Sequence, residues 1–122
     1  MTLQESIAEY IRLRAYSPGD HELPDHRLKV AYVLAALSDH VAEAQYRVEF
    51  IKLKREEAKL KHMGSMTGMR ADAAAKVEHG HKLIEAEREL SRLKYLISSG
   101  REILNAIASK LKSLEMEARN QH

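Results

Sequence analysis

The sequence predicts an all-α fold, built as a long antiparallel two-helix coiled-coil hairpin with a short N-terminal helix. The 122 residues include only five Gly and two Pro, too few for an all-β chain with frequent turns. Aromatic residues make up 5% of the chain, so the core must come from Leu, Ile, Val and Ala. Apolar residues also repeat every seven positions over two long stretches, the spacing of a coiled-coil seam. The length predicts a single helical domain over residues 1–122.

The first predicted helix covers about residues 2–16. Thr2 and Glu5 have the spacing of a capping box, in which each side chain bonds the backbone of the other residue. An apolar stripe follows at helical spacing: Leu3, Ile7, Tyr10 and Ile11. The breaker Ser17-Pro18-Gly19 predicts a loop over residues 17–24.

The second predicted helix covers about residues 26–63, with Asp25 as its N-cap. Two heptad rows define its seam, and together they give alternating spacings of four and three. The rows are Val30, Leu37, Ala44, Ile51, Ala58 and Leu34, Val41, Val48, Arg55, His62. Two close glycines then predict a turn at residues 64–68.

The third predicted helix covers about residues 69–120. Its rows are Lys76, Leu83, Leu90, Ile97, Leu104, Leu111 and Asp72, His79, Ala86, Leu93, Gly100, Ile107, Leu114. Ser98-Ser99-Gly100 could end a helix, but the heptad register passes through it without a skip. We therefore expect one continuous helix.

A turn near residues 66–67 fixes which positions of the two long helices face each other. Leu34 falls opposite Gly100 in this register, which predicts that the glycine makes room for the leucine. The third helix is longer than the second, so we expect the first helix to lie end to end with the second and to cover residues 107–119.

Two-helix packing leaves much apolar surface bare, including Tyr32 and Val33. Such a chain would bury little core as a monomer, which predicts a homo-oligomer completed as a helical bundle. The side chains expected to mediate self-association are Tyr46, Phe50, Leu53 and Tyr95.

Charge is concentrated around the predicted turn. Residues 52–82 carry eight Lys and Arg against four Asp and Glu, a net charge of +4, whereas residues 1–51 carry a net charge of −3. A cationic hairpin end is typical of nucleic-acid contact, and the residues expected to make it are Lys52, Lys54, Arg55, Lys59, Lys61, Arg70, Lys76 and Lys82. The alternative is a solvated end with ion pairs between Arg55 and Glu78 and between His62 and Asp72.

The sequence predicts no catalytic residue, no metal site and no cofactor, and hence no enzyme. Cys is absent, and no nucleophile stands on a strained turn. Glu78 and His81 form one Glu-x-x-His pair, whereas a di-iron bundle needs two. His79 and His81 are two residues apart, so on a helix they point away from each other.

Several segments resemble small, Cys-free helical-hairpin proteins of tailed bacteriophages, encoded among early genes of DNA metabolism and recombination. The segments are Ala44-Gln45-Tyr46-Arg47, Lys52-Leu53-Lys54-Arg55, Arg70-Ala71-Asp72-Ala73, Glu85-Ala86-Glu87-Arg88, Leu93-Lys94 and Leu114-Glu115-Met116-Glu117-Ala118-Arg119. The resemblance implies a phage accessory protein that acts beside a recombinase or a host DNA-processing enzyme.

Two functions are therefore left open. The first is a non-enzymatic accessory protein that contacts nucleic acid through its basic hairpin end. The second is an adaptor or inhibitor that binds a host or phage protein through its helical faces. No apolar run approaches the ~20 residues of a membrane span, so we expect a cytoplasmic protein without membrane contact.

Overall fold

The computed structural model describes residues 1–121 and contains three α-helices. Helix α1 spans Leu3–Ala15, a 3-10 turn covers Asp20–Glu22, α2 spans Leu23–Met63 and α3 spans Gly68–Asn120. No strand occurs among residues 1–121. The predicted all-α class and helical hairpin are confirmed, and α3 runs without a break through residues 98–100.

The residues at the N-termini of α1 and α2 explain where these helices begin. The Glu5 backbone N–H donates to Thr2 Oγ1 at 3.2 Å, so Thr2 caps α1 as its spacing predicts. Helix α2 begins three residues before the predicted start, because Pro24 fits a first turn whose N–H groups have no partner within the helix. Asp25 lies inside this turn, 3.1 Å from Lys29 Nζ.

The chain divides into two compact units where the sequence predicts one domain. Unit 1 contains residues 1–40 and the chain from residue 94 onward, and unit 2 contains residues 41–93. Both long helices contribute to both units.

In unit 1, α1 packs side by side with the other two helices. The Tyr10 hydroxyl donates to Ser99 Oγ at 2.8 Å, and His40 Nε2 lies 3.2 Å from the carbonyl oxygen of Met1. The prediction that α1 lies end to end with α2 and covers residues 107–119 is wrong. The reason is burial: α1 in this position covers Val33, which two-helix packing would leave in water.

The close approach between α2 and α3 in unit 1 lies at the predicted residues. A Cβ added at Gly100 would lie 3.1 Å from Leu34 Cγ and 3.2 Å from its Cδ1. Gly100 therefore gives Leu34 its space, and the predicted facing register is confirmed at this layer.

Unit 2 contains only the two antiparallel segments of α2 and α3. Arg47 Nη1 lies 2.8 Å from Glu89 Oε2. Towards the turn the buried positions are occupied by alanines, Ala58, Ala71 and Ala75. The heptad rows predict Asp72 and Lys76 at these buried positions. This prediction is wrong by one residue, because Ala71 and Ala75 are buried instead. Burying Asp72 or Lys76 would remove a charge from water, so the small apolar side chains one position earlier face inward instead.

Candidate functional site

The eight cations of the basic segment, residues 52–82, lie on the two helical arms of unit 2 next to the turn. Three of them have local partners. Lys52 Nζ lies 3.7 Å from Glu49, Lys54 Nζ 3.3 Å from Glu57, and Lys76 Nζ 3.3 Å from Asp72. Within residues 1–121 the other five have no carboxylate within 4.0 Å: Arg55, Lys59, Lys61, Arg70 and Lys82. The segment therefore keeps more positive charge than its own carboxylates neutralise.

Three cations lie around one carboxylate, Asp72, beside the buried alanines of unit 2. A hydrogen bond from Lys76 lowers the pKa of Asp72 most, and the positive charges of Lys76, Lys59 and Arg55 lower it further. Lys59 and Arg55 come from α2, whereas Asp72 and Lys76 come from α3. We call these four residues the Asp72 cluster; it holds three positive charges against one negative charge.

The two ion pairs that the sequence suggested are wrong. His62 pairs with Glu78, not with Asp72, and Arg55 lies near Asp72, not paired with Glu78. The ion pairs change partners because Ala71 and Ala75 face inward between α2 and α3. Their burial turns Glu78 towards His62. The hydrogen bond from His62 lowers the pKa of Glu78, and the charges of His62, His79 and Lys61 add to the effect.

The outer face of α2 in unit 2 carries exposed aromatic side chains. The rings of Tyr46 and Phe50 stack with centroids 6.3 Å apart and an angle of 22° between their planes. Lys54 Nζ lies 5.3 Å from the centre of the Phe50 ring. Tyr46 is 71% exposed and Leu53 56% exposed. We call Tyr46, Phe50, Leu53 and Leu60 the α2 outer face.

The predicted self-association residues do not all fall in one unit. Tyr46, Phe50 and Leu53 belong to unit 2, whereas the exposed Tyr95 belongs to unit 1. The chain thus presents exposed apolar side chains in each unit separately.

No metal site is visible in the part of the chain that the structure describes: residues 1–121 contain no group of three His, Asp or Glu side chains that could hold an ion. His81 Nε2 lies 2.9 Å from Glu85, and His79 Nε2 lies 3.6 Å from Glu78. Each of these histidines therefore has a neighbouring carboxylate on its own helix.

Sequence reasoning missed a cavity in unit 1 of about 550 Å³ and the buried His26 in its wall. One signal could have found the residue. His26 lies four positions before Val30, so it falls on the apolar side of α2 and not on the solvent side.

The fold and this site define an all-α helical hairpin with a basic segment beside its turn. The sequence matches no protein-family model and no curated protein, and the structure matches no solved structure. No helix within residues 1–121 has the length and apolar character that a membrane crossing needs.

Proposed function

We propose that the protein is a non-enzymatic accessory protein that contacts the backbone of nucleic acid through its basic segment. The Asp72 cluster carries this proposal, because it places three cations from two helices around a single carboxylate. A phosphate next to this cluster meets a net positive charge that the chain itself leaves uncompensated.

The chemistry of the segment favours phosphate over base recognition. Residues 52–82 contain no Phe, Tyr or Trp, so no ring is available there on which an unpaired base could stack. Lys and Arg contacts to phosphate position a protein without reading sequence. Binding is therefore expected to be salt-sensitive and weak in sequence preference. The resemblance to phage hairpin proteins implies a role for such binding in DNA recombination or processing.

A pair of charge-removing variants tests the proposal. Lys59→Gln with Lys76→Gln removes two cations from the Asp72 cluster, whereas Lys29→Gln with Lys112→Gln removes the same charge from unit 1. We expect the wild type to bind duplex DNA with a log affinity that falls by roughly 0.9 per phosphate contact as log salt rises. The cluster variant should lower this slope and weaken binding at least tenfold, and the unit 1 variant should change affinity less than threefold.

Two results would overturn the proposal. One is the absence of any mobility shift with DNA or RNA at low salt. The other is an equal loss of affinity in both variants, which would indicate a dependence on net charge alone.

The α2 outer face favours a second candidate function, the docking of another helix. We propose that the docked helix belongs to a second copy of this chain. Tyr46 and Phe50 stack beside a groove of about 510 Å³ that Ala42 and Arg47 also line. In a parallel pair Glu49 would oppose Glu49, so charge favours an antiparallel pair.

Sedimentation of a charge-inserting variant tests self-association. Tyr46→Glu with Phe50→Glu should convert the assembly to single chains, because burying these carboxylates costs several kcal/mol. Met69→Glu with Val77→Glu adds the same charge at exposed apolar positions on α3 and should leave the assembly intact. A single-chain mass for the wild type at micromolar concentration contradicts this candidate. Nuclease-resistant capture of another protein would then favour the adaptor function.

A further inference from the structure

We propose that unit 1 contains a binding site for a small, uncharged, mostly apolar molecule that carries one hydroxyl or carbonyl oxygen. This inference lies outside the proposed nucleic-acid function, because none of its residues belongs to the basic segment. The site is the solvent-open cavity of about 550 Å³ between the end of α1, the segment that follows it, the start of α2 and residues 99–110 of α3. Its volume lies within the roughly 300–1,000 Å³ that small-molecule sites span.

The wall of the cavity is mainly apolar. Leu13 comes from α1, Leu23 from the start of α2, and Ile103, Ala106 and Ile107 from α3. These side chains provide the surface that would cover an aromatic or aliphatic ring system.

A buried histidine without a polar partner marks one point on this wall. His26 is 5% exposed, and within residues 1–121 it forms no hydrogen bond or ion pair. Its ring lies 5.7 Å from the Tyr16 ring between centroids. No fully enclosed side-chain nitrogen or oxygen in the described chain lacks a partner, so each imidazole nitrogen retains some solvent-accessible surface. His26 also lines a smaller cavity of about 240 Å³.

An unused hydroxyl donor lies on the α3 side of the cavity. Ser99 Oγ accepts from Tyr10 at 2.8 Å, but within residues 1–121 its own O–H donates to no partner. Ser6 and Ser38 instead donate to a carbonyl four residues earlier, each at 2.9 Å. Ser99 therefore keeps a donor, and His26 keeps both a donor and an acceptor, for a ligand oxygen.

The charges at the rim decide against an ionic ligand. Arg14 and Lys110 supply two cations, and Asp20 and Glu102 supply two carboxylates. The rim is thus balanced and offers no net attraction to an acid or a base. The ligand class that fits is a neutral molecule of one or two rings or a short chain.

The probe for the experiment is 1-naphthol, with naphthalene and 1-naphthoate as comparisons, titrated into the full chain and followed by two-dimensional NMR. We expect 1-naphthol to shift the His26 imidazole signals and the amides around the cavity. Naphthalene should bind roughly two- to tenfold more weakly, since it lacks one hydrogen bond. 1-Naphthoate should bind no more tightly than 1-naphthol, because the rim charges cancel.

Three variants locate the site. Ala106→Trp fills the cavity from an exposed position and should abolish binding of both neutral probes. His26→Phe keeps an aromatic ring without nitrogens, so it should weaken 1-naphthol binding and spare naphthalene. Ala42→Trp changes the groove in unit 2 and should leave all affinities unchanged.

Circular dichroism checks that each variant remains helical. The proposal is overturned if 1-naphthol causes no shift at about 1 mM. It is equally overturned if folded Ala106→Trp binds the neutral probes as the wild type does, or if His26→Phe weakens both neutral probes to the same extent. DNA binding of these variants is measured separately, so either proposal can fail without the other.

Discussion

The two compact units are built from the same pair of long helices, yet their interiors differ towards the turn. Unit 1 has a third helix, and its interior includes the large side chains of Tyr10, Leu37 and Val30. Unit 2 has two helices, and it buries Leu93 away from the turn but Ala71 and Ala75 next to the turn. Alanine removes little apolar area from water, so the end of unit 2 next to the turn gains less from burial per residue.

The two units also differ in the charge on their surfaces. The basic segment and the stacked Tyr46 and Phe50 lie in unit 2. Unit 1 buries the Tyr10 ring and leaves Tyr32 and Tyr95 exposed. A two-helix packing has one buried seam, so its remaining faces stay available for contacts with other molecules. The comparison teaches that the third helix buries apolar side chains in unit 1, whereas the two-helix packing of unit 2 leaves its outer faces exposed.

Among the substitutions that test the difference between the two units, Leu37→Ala should change the free energy of unfolding most. Leu37 is 0% exposed in unit 1, so its truncation leaves a cavity and should lower the free energy of unfolding by about 3 kcal/mol. Leu60→Ala, a 67% exposed position in unit 2, should change it by less than about 0.5 kcal/mol. Urea unfolding followed by circular dichroism measures both. Equal losses would contradict the burial of Leu37 and the exposure of Leu60.

Alanine substitutions at Gly80 and Gly100 of α3 should change the free energy of unfolding in opposite directions. A Cβ at Gly80 in unit 2 meets nothing within 4 Å, so Gly80→Ala should stabilise by about 1 kcal/mol through helix propensity. Gly100→Ala should destabilise by about 1 kcal/mol net, because the crowding of Leu34 exceeds the same gain. In a Leu34→Ala background, Gly100→Ala should become stabilising. Thermal unfolding of the four proteins checks this, and a stabilising Gly100→Ala in the wild type contradicts it.

Tyr10→Phe tests the polar contact that attaches α1 within unit 1. The variant removes the hydroxyl that donates to Ser99 and keeps the ring, so we expect a loss of about 1 kcal/mol. Hydrogen exchange should become faster in α1. A double-mutant cycle with Ser99→Ala checks that the loss belongs to this pair, and additive losses would show that it does not.

The smallest effect concerns the acid sensitivity of unit 2. The pKa of Glu78 lies below its ordinary value of 4.5 in the folded chain, so the folded state binds protons more weakly than the unfolded state. Its stabilising effect is present above pH 4.5 and is lost as the pH falls through the lower folded pKa. Glu78→Gln should therefore reduce the acid destabilisation of unit 2. Amide hydrogen exchange between pH 7 and pH 3 measures this effect. Glu56→Gln serves as the control variant, because Glu56 has no ion pair within residues 1–121.

The sequence by itself determined the helices and part of their register. The seven-residue repeats and the two close glycines predict two long helices that meet near residues 64–68, and the uninterrupted repeat predicts a continuous α3. Leu34 and Gly100 form a large-to-small pair that the spacing alone identifies. These features are local or periodic, so the sequence carries them directly.

The tertiary structure alone decided where α1 lies and which residues fill unit 2. End-to-end and side-by-side placements of α1 satisfy the same sequence pattern, and only burial of Val33 distinguishes them. The one-residue shift to Ala71 and Ala75, and with it the pairing of Glu78 with His62, depends on how closely two helices approach. The position of His26 beside a cavity likewise needs three helices in space. Packing of one helix against another depends on distances between residues far apart in the chain, and a periodic pattern does not encode them.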